Sequence, residues 1–71
     1  MCKPYIHIIL KTGNVVELFE DDFGDDTSLT VKGHFHAIQE MYNEGSKVMY
    51  KSGNVWLDIM QISCMLYSNK N

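Results

Sequence analysis

A five-residue phrase occurs twice in this chain, and each copy predicts a tight hairpin turn. Lys-Thr-Gly-Asn-Val occupies residues 11–15, and Lys-Ser-Gly-Asn-Val occupies residues 51–55. Glycine and asparagine accept positive φ angles at low cost, and each copy lies between apolar runs of strand-like composition. We therefore expect two β-hairpins. The repeat is compatible with duplication of a unit and with independent selection for the same turn.

Alternating apolar residues predict four or five strands. We expect strands over residues 5–11, 15–20, 47–51 and 55–58, with 62–67 forming a fifth strand or continuing the fourth after a kink. Residues 20–26 are too charged for a strand interior and are predicted to be a loop. Residues 68–71 form a polar tail that is expected to fray.

Between the hairpins, the spacing of apolar residues predicts one amphipathic helix. Its stripe consists of Val31, Phe35, Ile38 and Tyr42. Gly33 weakens the first turn, so we expect ordered helix from residue 33 or 34 to residue 44, followed by Gly45 as the terminating residue. The candidates for the helix cap are Asp26, Thr27 and Ser28.

These elements predict an α+β fold in a single domain over residues 1–71: a small antiparallel sheet of four or five strands in ββαββ order, with one helix on one face. The sheet face under the helix is expected to carry Ile6, Ile8, Leu10, Val16, Leu18, Val48, Tyr50, Ile62, Cys64 and Leu66. The opposite face is then expected to carry Tyr5, His7, Ile9, Phe19, Met49, Trp56, Met65 and Tyr67.

The second face is thus predicted to be apolar, although a single helix can cover only the first. Large exposed apolar patches usually mark contact sites, and aromatic residues and methionine are enriched in interfaces. A homodimer formed through the sheet face would cover this surface and enlarge the small core. The alternative is that Trp56 and its neighbours cover the core edge of a monomer.

Composition excludes several classes of protein. The chain has a net charge of −3 and six lysines but no arginine, so direct nucleic-acid binding is not expected. Two cysteines, Cys2 and Cys64, do not make a disulfide-rich scaffold, and free thiols in a reducing compartment are the simpler interpretation. No run approaches the roughly 20 apolar residues of a membrane span. A cytoplasmic protein is expected.

Motifs for chemistry are sparse. The acidic stretch at residues 20–26 does not have the spacing of a calcium-binding EF-hand loop, so it is either a solvated loop or a surface for a basic partner. His7, His34 and His36 do not have the spacing of a zinc site, and the two histidines at the start of the helix are expected to face solvent or a partner. No nucleophile elbow or phosphate-binding loop is present. We therefore predict no enzymatic activity, no metal site and no cofactor.

The segment Trp-Leu-Asp-Ile-Met-Gln-Ile at residues 56–62, after a Gly-Asn turn, resembles the closing segment of small accessory proteins of phages and mobile elements in Gram-positive bacteria. The resemblance covers residues 50–67. It implies a small accessory protein, and for a phage-encoded chain it implies action in the host cytoplasm.

Together these features predict a non-enzymatic protein that binds a larger protein and inhibits or modulates it. Asp21, Asp22, Asp25 and Asp26 are the candidates for electrostatic steering. Trp56, Tyr5 and Tyr67 are the candidates for apolar anchors. One alternative is an oligomer that sequesters a nucleotide-like small molecule, and another is a structural subunit of a larger assembly.

Overall fold

The computed structural model describes residues 3–24 and 28–70, which form five strands and one α-helix. The strands are β1 (Lys3–Leu10), β2 (Val15–Phe19), β3 (Met49–Ser52), β4 (Val55–Asp58) and β5 (Ile62–Lys70). The helix, α1, spans Val31–Glu44, and short 3₁₀ helices occupy Glu20–Phe23 and Ile59–Gln61. The expected α+β class is confirmed. The strands, however, form two antiparallel sheets of three and two strands.

The three-stranded sheet has the order β2-β1-β5, so β1 is its central strand. Ile6 lies opposite Leu18 on β2 and opposite Tyr67 on β5. Ile6 and Ile8 are completely buried, because α1 packs against the same face of β1 and β5. This inner face and α1 form most of the hydrophobic core.

A β-bulge changes which residues of β5 point inward. Ile9 pairs with Cys64 but Leu10 pairs with Ile62, so Ser63 is an extra residue on β5. One inserted residue reverses the alternation of every side chain beyond it. The predicted faces of β5 are therefore wrong beyond Ile62. Met65 and Tyr67 pack against the core, whereas Cys64 and Leu66 are exposed on the opposite face.

The ends of β3 and β5 also differ from the prediction. Val48 was expected in the core, but it precedes β3 and is exposed. The last strand continues through Lys70, where a frayed tail was expected, because Lys3 to Tyr5 extend β1 and pair with residues 68–70.

The helix begins earlier than predicted, and its cap is Thr30, not the predicted candidate Ser28; the candidates Asp26 and Thr27 lie outside the described residues. The Thr30 hydroxyl accepts a hydrogen bond from the Gly33 backbone N–H at 3.1 Å, which satisfies a donor of the first turn. Gly45 ends the helix in a left-handed conformation, as expected. The buried residues of α1 are Val31, His34 and Ile38.

The β3–β4 hairpin lies beside α1 and supplies Val55 and Leu57 to the same core. His34 joins the layers: its ring stacks on Phe23 at a centroid distance of 3.9 Å, and its Nδ1 lies 2.6 Å from the Tyr50 hydroxyl. A histidine at the start of the helix was expected to face solvent or a partner. That expectation is wrong for His34, which is buried.

The two copies of the repeated phrase have different surroundings. Gly13 and Gly53 both have positive φ angles, of 93° and 56°. A Cβ atom at Gly13 would meet no heavy atom within 4 Å, whereas one at Gly53 would overlap the backbone carbonyl of Phe23. The Asn54 N–H also donates a hydrogen bond to the Asp22 carbonyl at 3.1 Å. The two turns therefore differ at their glycines: Gly53 is packed against the backbone of Phe23 and Gly24, whereas Gly13 has open space around it.

We expect Gly53→Ala to destabilise the protein much more than Gly13→Ala. At Gly13 the cost is that of a left-handed alanine, about 1–2 kcal/mol. At Gly53 the backbone of Phe23 and Gly24 must also move, so we expect a loss of about 3 kcal/mol or more. Urea unfolding followed by circular dichroism measures both variants. Equal losses would contradict the packing described for the second turn.

Candidate functional site

The three-stranded sheet has α1 and the β3–β4 hairpin on one face, which leaves its other, outer face uncovered by the described elements. This outer face is the candidate binding surface. Strand alternation there gives a grid of three rows shared by all three strands, and Lys3 of β1 follows beyond the row of Tyr5. The rows are Phe19, Tyr5 and Ser68; Glu17, His7 and Leu66; and Val15, Ile9 and Cys64. We call these nine residues the outer face. Val15 is 54% exposed and Leu66 is 49% exposed, so large apolar side chains are open to solvent there.

Aromatic rings order one end of the outer face. Tyr5 stacks on Phe19 with centroids 5.3 Å apart, and the edge of His7 approaches Tyr5 at 6.5 Å. The His7 Nδ1 lies 3.9 Å from a carboxylate oxygen of Glu17 in the middle row. The face therefore combines an aromatic corner, a central polar pair, and an aliphatic end at Val15 and Ile9 that adjoins Leu66 of the middle row.

A second exposed apolar surface lies on the β3–β4 hairpin. Trp56 is 66% exposed and Lys51 holds its ammonium group 4.5 Å from the centre of the indole ring. This is the geometry of a cation–π contact, which at an exposed site contributes on the order of 0.5–1 kcal/mol. Met49 lies on the same side of the hairpin and is also exposed. A groove of about 400 Å³ separates Trp56 from the residues at the rim of the large sheet.

The acidic segment is divided between a structural and a solvent-facing part. The Asp22 carboxylate accepts a hydrogen bond from the Phe19 backbone N–H at 2.8 Å. This bond ends β2 and starts the 3₁₀ helix, so Asp22 has a role in folding. Glu20 and Asp21 are exposed. Asp25 and Asp26 lie outside the described residues.

An open groove of about 530 Å³ connects the acidic segment to the outer face. We call it the acidic groove, and it is lined by Lys3, Pro4, Phe19, Glu20, Asp21 and Asp22. Phe19 belongs to both features, because its ring stacks on Tyr5 of the outer face. An aromatic corner flanked by carboxylates suits a partner that presents an apolar side chain beside a basic one.

The three predicted aromatic anchors lie at three different places. Tyr5 is on the outer face, Trp56 is on the hairpin, and Tyr67 is on the inner face, where its ring is 5.8 Å from Phe35. Only Tyr5 lies close to the acidic groove. Alternation in β2 placed Phe19 on the second face correctly, but its stack with Tyr5 depends on strand register and could not be predicted. Leu66 was missed because no local signal in the sequence marks the bulge at Ser63.

The described residues form neither a metal-binding cluster nor a helix suited to cross a membrane. Within residues 3–24 and 28–70, no three side chains of histidine, cysteine, aspartate or glutamate come together as a metal-binding group. In the same part of the chain, no helix has the length and apolar character needed to cross a membrane. Cys64 is a free, exposed thiol beside Ile9, and Cys2 lies outside the described residues.

Comparisons of the chain with models of protein families, with curated proteins and with solved structures found no match.

We expect truncation of Asp22 and truncation of Asp21 to have different effects on the stability of the protein. Asp22→Ala removes a charge-assisted acceptor for the Phe19 N–H and should lower the free energy of unfolding by about 1–2 kcal/mol. Asp21→Ala is the matched control, since the Asp21 side chain is exposed, and it should change stability by less than about 0.5 kcal/mol. Urea unfolding at constant ionic strength tests this difference. Equal effects would contradict the assignment of Asp22 to folding.

Proposed function

We propose that this chain is a non-enzymatic binding protein that attaches to a larger protein through its outer face and inhibits or modulates it. The observation that carries the proposal is an apolar sheet face beside an acidic groove, with Phe19 shared by both. Exposed apolar patches of a few hundred Å² on soluble proteins are often contact sites. A phage-encoded accessory protein acting in the host cytoplasm would fit this role.

The two parts of the surface have different tasks in this proposal. The rings of Tyr5 and Phe19 already restrict each other by stacking. Binding would therefore cost them little further side-chain entropy, which favours their use as anchors. Ile9, Val15 and Leu66 add apolar area around them. Glu20 and Asp21 are exposed at the groove and would attract a basic partner before contact, which raises the association rate more than the final affinity.

The outer face is tested by placing a charge on it. Leu66→Lys should reduce binding to the captured partner at least tenfold, because a lysine ammonium would have to be desolvated in an apolar contact. Met60→Lys is the matched control, since Met60 is 47% exposed, close to the 49% of Leu66, and lies outside the outer face. Partners are identified by affinity capture and mass spectrometry, and their affinity for each variant is then measured by surface plasmon resonance.

Two results would contradict the proposal for the outer face. One is equal binding by the Leu66→Lys and wild-type proteins. The other is an equal loss with Met60→Lys, which would show that charge itself, wherever it is placed, disrupts binding. Native mass spectrometry of protein taken directly from cells adds a separate outcome: a retained small molecule would favour the sequestering alternative.

The acidic groove is tested through kinetics. The double variant Glu20→Gln and Asp21→Asn removes two exposed charges, keeps the shape of both side chains, and leaves Asp22 in place. We expect a several-fold lower association rate at low salt, a smaller dependence on ionic strength and a nearly unchanged dissociation rate. An association rate that stays the same at low salt would show that these carboxylates are only solvated.

A further inference from the structure

The two edges of the large sheet differ in how they are closed. In an antiparallel ladder, alternate residues direct their backbone groups to opposite sides of the strand. Leu10 exchanges backbone hydrogen bonds with the β2 side, while Lys11 donates to the Gln61 carbonyl on the β5 side. Even-numbered residues of β1 therefore bond to β2, and odd-numbered residues bond to β5.

The same alternation identifies the outward groups of β5. His7 and Tyr5 pair with Leu66 and Ser68, so these even-numbered residues of β5 bond to β1. Met65, Tyr67 and Asn69 then direct their N–H and carbonyl groups away from the sheet. Among the described residues, no strand pairs with this side of β5.

The edge at β2 is protected against pairing, whereas residues 65–69 of the edge at β5 are not. β2 has five residues, carries Glu17, and has its Phe19 N–H bonded to the Asp22 carboxylate. β5 has nine residues, and residues 65–69 include no charge, proline or glycine. Natural sheets usually block a long, uncharged edge, because its unpaired backbone groups template another strand.

We propose that two copies of this chain associate through β5, whose exposed edges pair antiparallel about a two-fold axis at Tyr67. The pairing joins the two three-stranded sheets into one sheet of six strands. In this register Tyr67 lies opposite Tyr67 of the second copy, and Met65 lies opposite Asn69. All three outward residues of each copy are then used, which gives six backbone hydrogen bonds.

The position of the axis follows from contacts at the two ends of the edge. The Ser63 carbonyl already accepts a hydrogen bond from the Tyr42 hydroxyl at 3.0 Å, so the open part of the edge begins at Met65. Residues 65–69 are centred on Tyr67. Phe35 lies beside Tyr67 and Tyr42 lies beside Ser63, so α1 runs along β5 and would meet its symmetry mate in the second layer.

Stacking of two outer faces is the competing arrangement. With strands about 4.8 Å apart and a rise of about 3.4 Å per residue, the nine-residue grid covers roughly 300 Å². A standard stable interface buries about 800 Å² per partner, so a second copy stacked on the grid alone falls short, whereas a larger protein can also contact the adjoining groove at Glu20 and Asp21. Edge pairing instead uses backbone bonds and both layers, and it leaves the outer face open. The inference therefore goes beyond the proposed function and does not depend on it.

Proline substitution separates the two arrangements. Asn69→Pro removes an outward N–H while leaving the bonds of Leu66 and Ser68 to β1 in place, and proline is tolerated on edge strands. We expect wild-type protein to sediment as a dimer and Asn69→Pro to dissociate at least tenfold more readily, with an unchanged circular dichroism spectrum. Val15→Lys, on the outer face at the far edge, should remain dimeric. A monomeric wild-type protein, or a dimer lost in Val15→Lys but kept in Asn69→Pro, would overturn the inference.

Cysteine cross-linking tests the register. With Cys2 and Cys64 replaced by serine, Leu66→Cys and Ser68→Cys together should form interchain disulfides under mild oxidation, because these positions face each other in a non-hydrogen-bonded pair. Neither substitution alone should cross-link. A disulfide dimer from Leu66→Cys alone would overturn the axis at Tyr67, and no cross-link in the double variant would overturn edge pairing itself. Partner capture by the outer face is measured separately, so failure of one proposal is distinguishable from failure of the other.

Discussion

The double pairing of β1 is the constraint on which the rest of the structure depends. β1 bonds to β2 on one side and to β5 on the other, so it connects the first hairpin to the last strand of the fold. Its inward residues Ile6 and Ile8 are fully buried under the helix. Its outward residues occupy the middle of the outer face. One strand therefore fixes both the core and the candidate binding surface, and a shift in its register would disturb both together.

Local signals in the sequence predicted the elements that depend on local chemistry. The Gly-Asn turns predicted both hairpins and Gly45 predicted the end of the helix, because few residues other than glycine and asparagine adopt positive φ angles at low cost. The alternation in β1 and β2 gave the correct inward residues, since neither strand is irregular. The α+β class followed from the order of these elements.

The errors arose where a distant contact decides the outcome. No glycine, proline or other local signal in the sequence marks a bulge at Ser63, yet the bulge there exchanges the faces of Leu66 and Tyr67. His34 is polar and starts a helix, but Phe23 and Tyr50 make a buried site for it. The repeated phrase suggested equivalent turns, and only packing against Phe23 distinguishes Gly53 from Gly13. Strand alternation predicted an apolar second face, while the members of that face on β5 depended on the bulge.

The bulge also connects the core to both proposed contacts. By turning Tyr67 inward, it places a large ring against Phe35 and anchors the distal half of β5 on the helix. By turning Leu66 outward, it adds an exposed apolar side chain beside His7 in the middle row of the outer face. A rigid strand loses less conformational entropy when it pairs or binds. The inserted residue that made the predicted faces of β5 wrong therefore gives this strand two parts: an ordered edge, at which we propose that a second copy pairs, and Leu66 on the outer face.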